Sequence, residues 1–371
     1  RDEYRRASDA LAPYRRILDI YTSRWFGNPD TRLSSPVLDF LRNPKAEAWL
    51  KNPSDRNIKL KPDEQKLVDI AIEAAREKRF FHWELEFPEV FFGPGKASAQ
   101  QIVMKDSPGF NAVIGNPPWA SVRGKHASGI FQEYDISYAE AQYPGNTYMP
   151  NAYEYFILRA LRLISQTGYH SFIVPDRLGF NSSLEYLRQL MLKDFQLVSL
   201  IYKIPFPDVI ADTVIYVVTS KAVDDYHILV TDYGKEPVSV PSSFYSDTGD
   251  TAFIYFPSQS IFNILEKIRS ANCVPLSDLA NTTSGFGGKS SIITDKRMNS
   301  RQIPVIKGED VGRYEIFDYH YFEFMDEHLT GRTRDEEKLG FVPKVLLRKT
   351  GTYLFGAYDE TGAYPEQSVY F

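Results

Sequence analysis

An apolar run, Phe110-Asn111-Ala112-Val113-Ile114, stops at Gly115 and is followed at once by Asn116-Pro117-Pro118-Trp119. A strand ending in such a loop would present a defined set of groups at a sheet edge. The Asn116 side-chain oxygen and the Pro117 carbonyl are two acceptors able to hold the hydrogens of an amino group. Proline removes a competing backbone donor and fixes the local path. Trp119 offers a face on which an extruded planar ring can stack. Asn-Pro also marks ordinary turns, so the tetrapeptide alone describes a Pro-rich turn equally well. Nor does it separate an adenine amine from a cytosine amine or a glutamine amide.

The elements that must position this loop follow from the rest of the chain. At 371 residues it can bury a substantial core and is expected to hold more than one domain. Hydrophobic content of 43% and charged content of 25% are ordinary for a soluble globular protein. The single cysteine, Cys273, excludes an internal disulfide and a cysteine-rich metal site, and no metal is expected. No long apolar span or signal-like start is visible, so the expectation is a cytoplasmic protein without a membrane partner. A net charge of −5 does not suggest a wholly basic nucleic-acid binder. It excludes little, because phosphate attraction is local and screened beyond roughly 10 Å.

Helical spacing of Leu11, Tyr14, Ile17, Leu18 and Tyr21 predicts a helix from Arg1 to about Trp25, and Pro62 to Arg79 reads as another. His82 to Pro88 alternates as a half-buried strand would, Gly93 to Lys96 reads as a loop, and Lys96 to Pro108 as an insertion. Residues 121–150 show little periodicity and read as a long functional loop. A helix over Ala152–Ile164, closed by Gly168, then leads to a strand over Tyr169–Val174. Ser182 and Glu185 have capping-box spacing for the next helix. Strands are expected at Phe195–Tyr202, Val214–Thr219 and Tyr226–Val230, the last ones antiparallel because their connections are too short for crossover helices. Gly234 to Asp250 reads as surface chain, and composition changes around Ile268 to Val274. The expected organisation is a helical region over 1–80, an α/β domain over 81–270 and a second domain over 271–371.

With Gly109 to Trp119 and Phe172-Ile173-Val174-Pro175 in view, the chain resembles the later part of the methyltransferase module of type IIG restriction-modification enzymes, followed by the start of their target-recognition domain. Eco57I-like DNA adenine-N6 methyltransferases and the methyltransferases of phage-exclusion systems are similar. The resemblance covers most residues after Phe81. It implies a partial Rossmann-like class I methyltransferase sheet, a helical N-terminal region and a mixed α/β target-recognition domain. It also implies sequence-specific methylation of adenine N6 from S-adenosylmethionine, in restriction-modification or phage defence. Asn116, Pro117, Pro118 and Trp119 would be the catalytic loop. Lys203 to Val209 with Thr213 to Val217 resembles the family's second aromatic segment, which puts a base-stacking role on Phe206. Glu84 or Glu86 could approach the cofactor's adenine edge or the target; a solvent-facing carboxylate is the plain alternative. Asp176 and Arg177 lie on the sheet rim where ligands often bind.

Ile303 to Val311 and Pro343 to Gly351 resemble target-recognition segments, making Lys289, Lys307, Lys344, Arg348 and Lys349 candidate contacts to double-stranded DNA. These enzymes bind their cofactor with a Gly-rich loop upstream of the catalytic loop, and no strand–Gly-x-Gly–helix pattern lies between Arg1 and Phe110. Gly93-Pro94-Gly95 is a poor match. The expectation is therefore that the cofactor-binding half is missing and comes from upstream in the same polypeptide or from a complementary subunit. Magnesium would be needed only by a nuclease domain that is not visible here. The alternatives are a noncatalytic DNA-binding or assembly fragment, and a methyltransferase of RNA or protein amines.

Overall fold

The computed structural model describes all residues except 1, 30–34, 97–100, 125–126, 147–148, 206–210, 221–222, 247–250, 272–273 and 275. Two compact units are present, Arg1–Lys267 and Ile268–Phe371. The fold is α/β, with a helical N-terminal region, a mixed six-stranded sheet and a separate unit of small sheets.

The first unit opens with helices α1 (Asp2–Ser23), α2 (Pro36–Leu41), α3 (Pro44–Lys51) and α4 (Pro62–Lys78). Proline begins α2, α3 and α4, where its missing N–H would find no intrahelical partner anyway. Ile20, Val37, Phe40, Trp49, Leu67 and Val68 bury one another between these helices. The expected strand at His82–Pro88 is not formed. Trp83–Glu86 (α5) and Pro88–Phe91 (α6) are single helical turns, because Trp83, Phe87 and Phe91 all pack their rings on Phe110. Their common packing on one ring overrides the apparent alternation. Gly93 and Pro94 are also not a simple loop: β1 (Phe92–Pro94) pairs antiparallel with β2 (Ile102–Met104).

The sheet is built from β3 (Phe110–Gly115), β4 (Ile164–Pro175), β5 (Gln196–Tyr202), β6 (Thr213–Thr219), β7 (His227–Asp232) and β8 (Val238–Pro241). Its order is β3-β4-β6-β5-β7-β8. β3 and β4 run parallel, β6 runs antiparallel to both β4 and β5, β7 lies parallel to β5, and β8 closes antiparallel to β7. Successive strands from β5 onward do reverse direction, as their short connections require. β7 nevertheless passes to the far edge of β5, so that pair is parallel.

Between β3 and β4 lie α7 (Glu133–Gln142), inside the stretch expected to be loop, and α8 (Ala152–Leu161). Gly168 lies within β4 and not at a helix end. After β4 come α9 (Arg177–Phe180), a short 3-10 turn capped by Asn181, and α10 (Glu185–Lys193), so the anticipated Ser182 cap is not used. Ile157, Leu161, Val174, Leu178, Leu187, Met191, Leu200, Val214 and Tyr216 form the main core. Gly234 to Asp250 contributes β8 and α11 (Ser242–Ser246), with Phe244 and Tyr245 buried; α12 (Gln259–Ser270) then buries Phe262.

The second unit contains β9 (Phe286–Gly288), β10 (Gln302–Ile306), β11 (His320–Glu323), β12 (Leu329–Arg332), α13 (Glu336–Leu339), β13 (Lys344–Arg348), β14 (Gly356–Asp359), β15 (Tyr364–Pro365) and β16 (Val369–Tyr370). Two three-stranded sheets, β11-β10-β15 and β14-β13-β16, and the β12-β9 pair enclose Phe286, Val305, Ile306, Phe322, Leu346 and Val369. No helix among the described residues is long and apolar enough to cross a membrane.

One buried polar link ties three strands of the first unit together. His170 on β4 is fully buried, with Nδ1 3.1 Å from the Val113 carbonyl of β3 and Nε2 2.6 Å from the Tyr216 hydroxyl of β6. The arrangement suits the neutral ring: Nδ1–H donates to the carbonyl and Nε2 accepts from the phenol. Burial pushes the imidazole pKa down to about 4, outweighing the opposing effect of the Val113 carbonyl. The unfolded chain therefore takes up this proton first, near 6.5. The stabilisation is complete above that pH and falls as pH drops toward 4, by on the order of 3 kcal/mol. Urea unfolding of the first unit between pH 7 and pH 4 should show this loss, and the loss should shrink in His170→Gln. Parallel pH profiles for the two proteins would disprove the assignment.

Candidate active site

Asn116-Pro117-Pro118-Trp119 leaves the carboxyl end of β3 with no regular structure of its own. Two glycines fix how β3 delivers it. Gly109 has φ +127°, and a Cβ there would lie 2.6 Å from the Ser165 nitrogen and 2.7 Å from the Leu163 carbonyl oxygen. Only glycine fits this entry to the strand. At the exit, a Cβ on Gly115 would meet the Phe172 ring at 3.0 Å. Gly115 thus lets the strand end lie against the core ring with which it is in register.

Within the loop, Pro117 is buried and Asn116 is exposed. The Asn116 carboxamide makes no hydrogen bond among the described residues, so its acceptor is uncommitted. Trp119 is half-buried against the main core, and its Nε1–H donates to the Ile173 carbonyl of β4 at 3.3 Å. The indole is therefore anchored to the neighbouring strand. The chain beyond is also fastened: Val122 N–H donates to the Pro150 carbonyl and Ala152 N–H to the Ala120 carbonyl, each at 2.9 Å. Arg123 reaches across to Glu140 at 2.9 Å and Glu133 at 3.1 Å on α7.

The ends of the neighbouring strands complete the rim. Asp176 follows β4, its backbone N–H bonded to the Asp212 carbonyl. Burial raises the Asp176 carboxyl pKa, and the nearby Asp212 carboxylate adds to the shift. Arg188 on α10 is fully buried and donates to the carbonyls of Leu178, Asn181 and Thr251, which holds the segment after Asp176 in place. Motif reading does not single out Arg188, because an arginine on an amphipathic helix normally reads as solvent-facing. Lys203 follows β5 and bridges to Asp232 at 3.1 Å at the end of β7. Phe206 lies outside the described residues.

The other candidates divide. Glu86 sits on α5 and is paired with Arg15 of α1 at 3.1 Å; Glu84 is half-buried on the same turn. In the second unit Lys289 is exposed, and Lys307 is half-buried with Glu309 at 3.5 Å. Lys344 requires correction as a DNA contact. Its ammonium is buried, 2.9 Å from the fully buried Asp359 carboxylate and 3.1 Å from the Phe341 carbonyl. Lys349 is likewise engaged internally: its Nζ donates to Ser284 and Gln367 and lies 4.5 Å from the Tyr370 ring centre. Burial lowers its pKa, and Arg332 adds to that effect. Arg348 lies over the Phe355 ring, its Nε buried without a hydrogen-bond partner. No cluster of His, Cys, Asp or Glu suited to a metal occurs among the described residues.

Comparison with known proteins finds likeness over part of the chain. Residues 40–204 match the family model of the Eco57I restriction-modification methylase. The match includes β3, the Asn116–Trp119 loop and β4. It begins inside α2, well before the motifs themselves become readable. The protein RM.MjaORFECS2P of Methanocaldococcus jannaschii, assigned by name to type II restriction enzymes and methyltransferases, is 25% identical over 262 residues, covering 66% of this chain. The chain spans about a fifth of the length of that relative (20%). Among solved structures, the type IIL restriction-modification enzyme MmeI in complex with DNA aligns over 70% of this chain and 40% of its own, at 10% identity and a TM-score of 0.43. A nuclease-deletion mutant of the type ISP enzyme LlaGI with a DNA substrate mimic aligns over 83% and 30%, at 10% identity and a TM-score of 0.41. The part of the chain that carries β3, the Asn116–Trp119 loop and β4 is thus similar to the Eco57I restriction-modification methylase.

The corrected position of Lys344 is testable. Removing its ammonium leaves Asp359 buried and unpaired, which typically costs about 3–5 kcal/mol. Lys344→Met should lower the stability of the second unit by that order in chemical denaturation. Lys344→Met paired with Asp359→Leu should recover much of the loss. An undiminished midpoint in the single variant would return Lys344 to the surface.

Proposed function

We propose that this chain carries the amine-acceptor half of a sequence-specific DNA adenine-N6 methyltransferase, acting in restriction-modification or phage defence. The observation that carries the reading is the Asn116–Trp119 loop: an exposed, uncommitted amide acceptor three residues ahead of an indole pinned to the next strand. Asn116 Oδ1 and the Pro117 carbonyl accept the two hydrogens of N6, while Trp119 supports the plane of an extruded base, with Phe206 as its partner. Orienting the amine and stabilising the positive charge that develops on it carry the rate effect.

S-adenosylmethionine supplies an electrophilic methyl group in this chemistry, but the described residues do not form its cradle. Gly93 and Pro94 belong to the β1–β2 hairpin and Gly95 to its turn, so they are not a strand–glycine–helix unit. Glu86 is engaged by Arg15. No described strand pairs with the outer edge of β3, and Ile114 on it is 81% exposed. Parallel strands are usually covered on both faces. The open edge supports a reading in which strands carrying the cofactor site, from the same polypeptide or a complementary subunit, add beside β3.

In a polypeptide that contains both halves, Asn116→Ala should slow methyl transfer to duplex DNA by about 10²–10³-fold, the usual cost of removing one such group. DNA affinity should stay within a few-fold of the unmodified protein. Digestion of the product to nucleosides should yield N6-methyladenine. Undiminished transfer would remove Asn116 from the site. Methylated cytosine, RNA or protein would redirect the substrate.

A further inference from the structure

On the second unit, Arg313, Tyr314, Leu347, Tyr353, Phe355 and Tyr358 line an open groove of about 800 Å³ on the β13–β14 sheet. Strand alternation produces it. Lys344 and Leu346 point into the core, and Val345 and Leu347 take the opposite face. The aromatic groups are strongly exposed: Tyr314 83%, Tyr353 77% and Tyr358 58%. A contiguous apolar surface of this kind ordinarily has a partner.

Two further observations say which. The groove lining carries one cation, Arg313, and no carboxylate. Arg313 forms no ion pair among the described residues and lies 5.7 Å from the Tyr314 ring centre. Tyr314 is moreover held at φ +67°, a conformation costly for a side chain of its size. Its N–H bonds to the Gly356 carbonyl at 2.8 Å, which fixes the strained turn at the groove floor. Glycine would fit this turn more easily, so the exposed ring is retained against backbone preference.

We infer that the groove binds unstacked nucleobases of a DNA strand, with Tyr314, Tyr353 and Tyr358 as stacking faces and Arg313 as the contact to the adjoining phosphate. Aromatic faces beside a guanidinium group suit bases without regard to their identity. The surface extends the DNA reading above, and it is distinct from the lysine contacts that motif resemblance suggests.

The test uses the full chain with fluorescein-labelled oligonucleotides: a single strand, a perfect duplex, and a duplex with one unpaired base. The single strand and the unpaired-base duplex should bind at least tenfold more tightly than the perfect duplex. Tyr314→Gly and Tyr353→Ala should each weaken them about tenfold. Tyr314→Gly should leave the unfolding midpoint equal or higher, which separates ring loss from misfolding. Arg313→Gln should reduce the salt dependence of binding by about one phosphate contact. If DNA binds but all three variants match the parent, the groove assignment is wrong and the DNA reading stands. If no DNA binds, the DNA role of this unit falls as well. Concentration-dependent dimerisation lost in the tyrosine variants, with DNA binding unchanged, would make the groove a self-contact and overturn the inference.

Discussion

The parallel pairing of β3 with β4 is the constraint on which the candidate active site depends. Five register pairs hold β3 to its neighbour, from Phe110 with Ile164 to Gly115 with Phe172. The Asn116–Trp119 tetrapeptide inherits its position from the last of them. Trp119 then returns to the same strand by bonding to the Ile173 carbonyl. Loop and strand end are thus tied at two points on β4, which fixes the backbone from which Asn116 projects. Under the proposed function such fixing matters, because an acceptor has to be in place when charge develops on the amine.

The support for that pairing lies in parts of the sequence that carry no chemistry. Gly109 allows β3 to start against the backbone of residues 163–165, where any Cβ would collide. His170 joins β3, β4 and β6 by side-chain bonds across the strands. Arg188 spends a buried guanidinium on three carbonyls behind Asp176. Each is a polar or conformational device inside an otherwise apolar core. Buried polar groups of this kind specify one arrangement because every alternative leaves them unsatisfied.

What was legible in the sequence follows the same division. The Asn116–Trp119 loop and its strand could be read because chemistry and punctuation coincide there: an apolar run, a glycine, then Asn-Pro-Pro. The strand at Phe195–Tyr202 and the alternation of Thr213–Thr219 were equally clear, since packing and propensity agree. His82–Pro88 was not, because aromatics at four-residue spacing packed on Phe110 outweigh a short alternating pattern. The expected strand at Tyr169–Val174 is shorter than β4, and Ile164 falls in the expected helix, because Leu161, Leu163 and Ile164 fit either state. Lys344 was misplaced for a more basic reason. Its burial is dictated by Asp359, fifteen residues away on the adjacent strand, and strand register cannot be deduced from one strand alone.

Under the proposed function, a chain of net charge −5 would have to meet DNA with few free cations on its second unit. Lys344 and Lys349, two basic residues of the recognition-like segment, are engaged by Asp359, Ser284 and Gln367, so they organise the second unit instead of facing phosphate. The same alternation that turns Lys344 inward turns Val345 and Leu347 outward beside the exposed tyrosines. Attraction to phosphate is thereby reduced, and surface suited to ring faces is increased. Phosphate contacts position a protein without specifying sequence, whereas contacts to bases depend on local distortion of the duplex. A unit built this way would gain more from DNA whose bases are already displaced than from regular duplex, which is the condition that removal of an adenine from the stack creates.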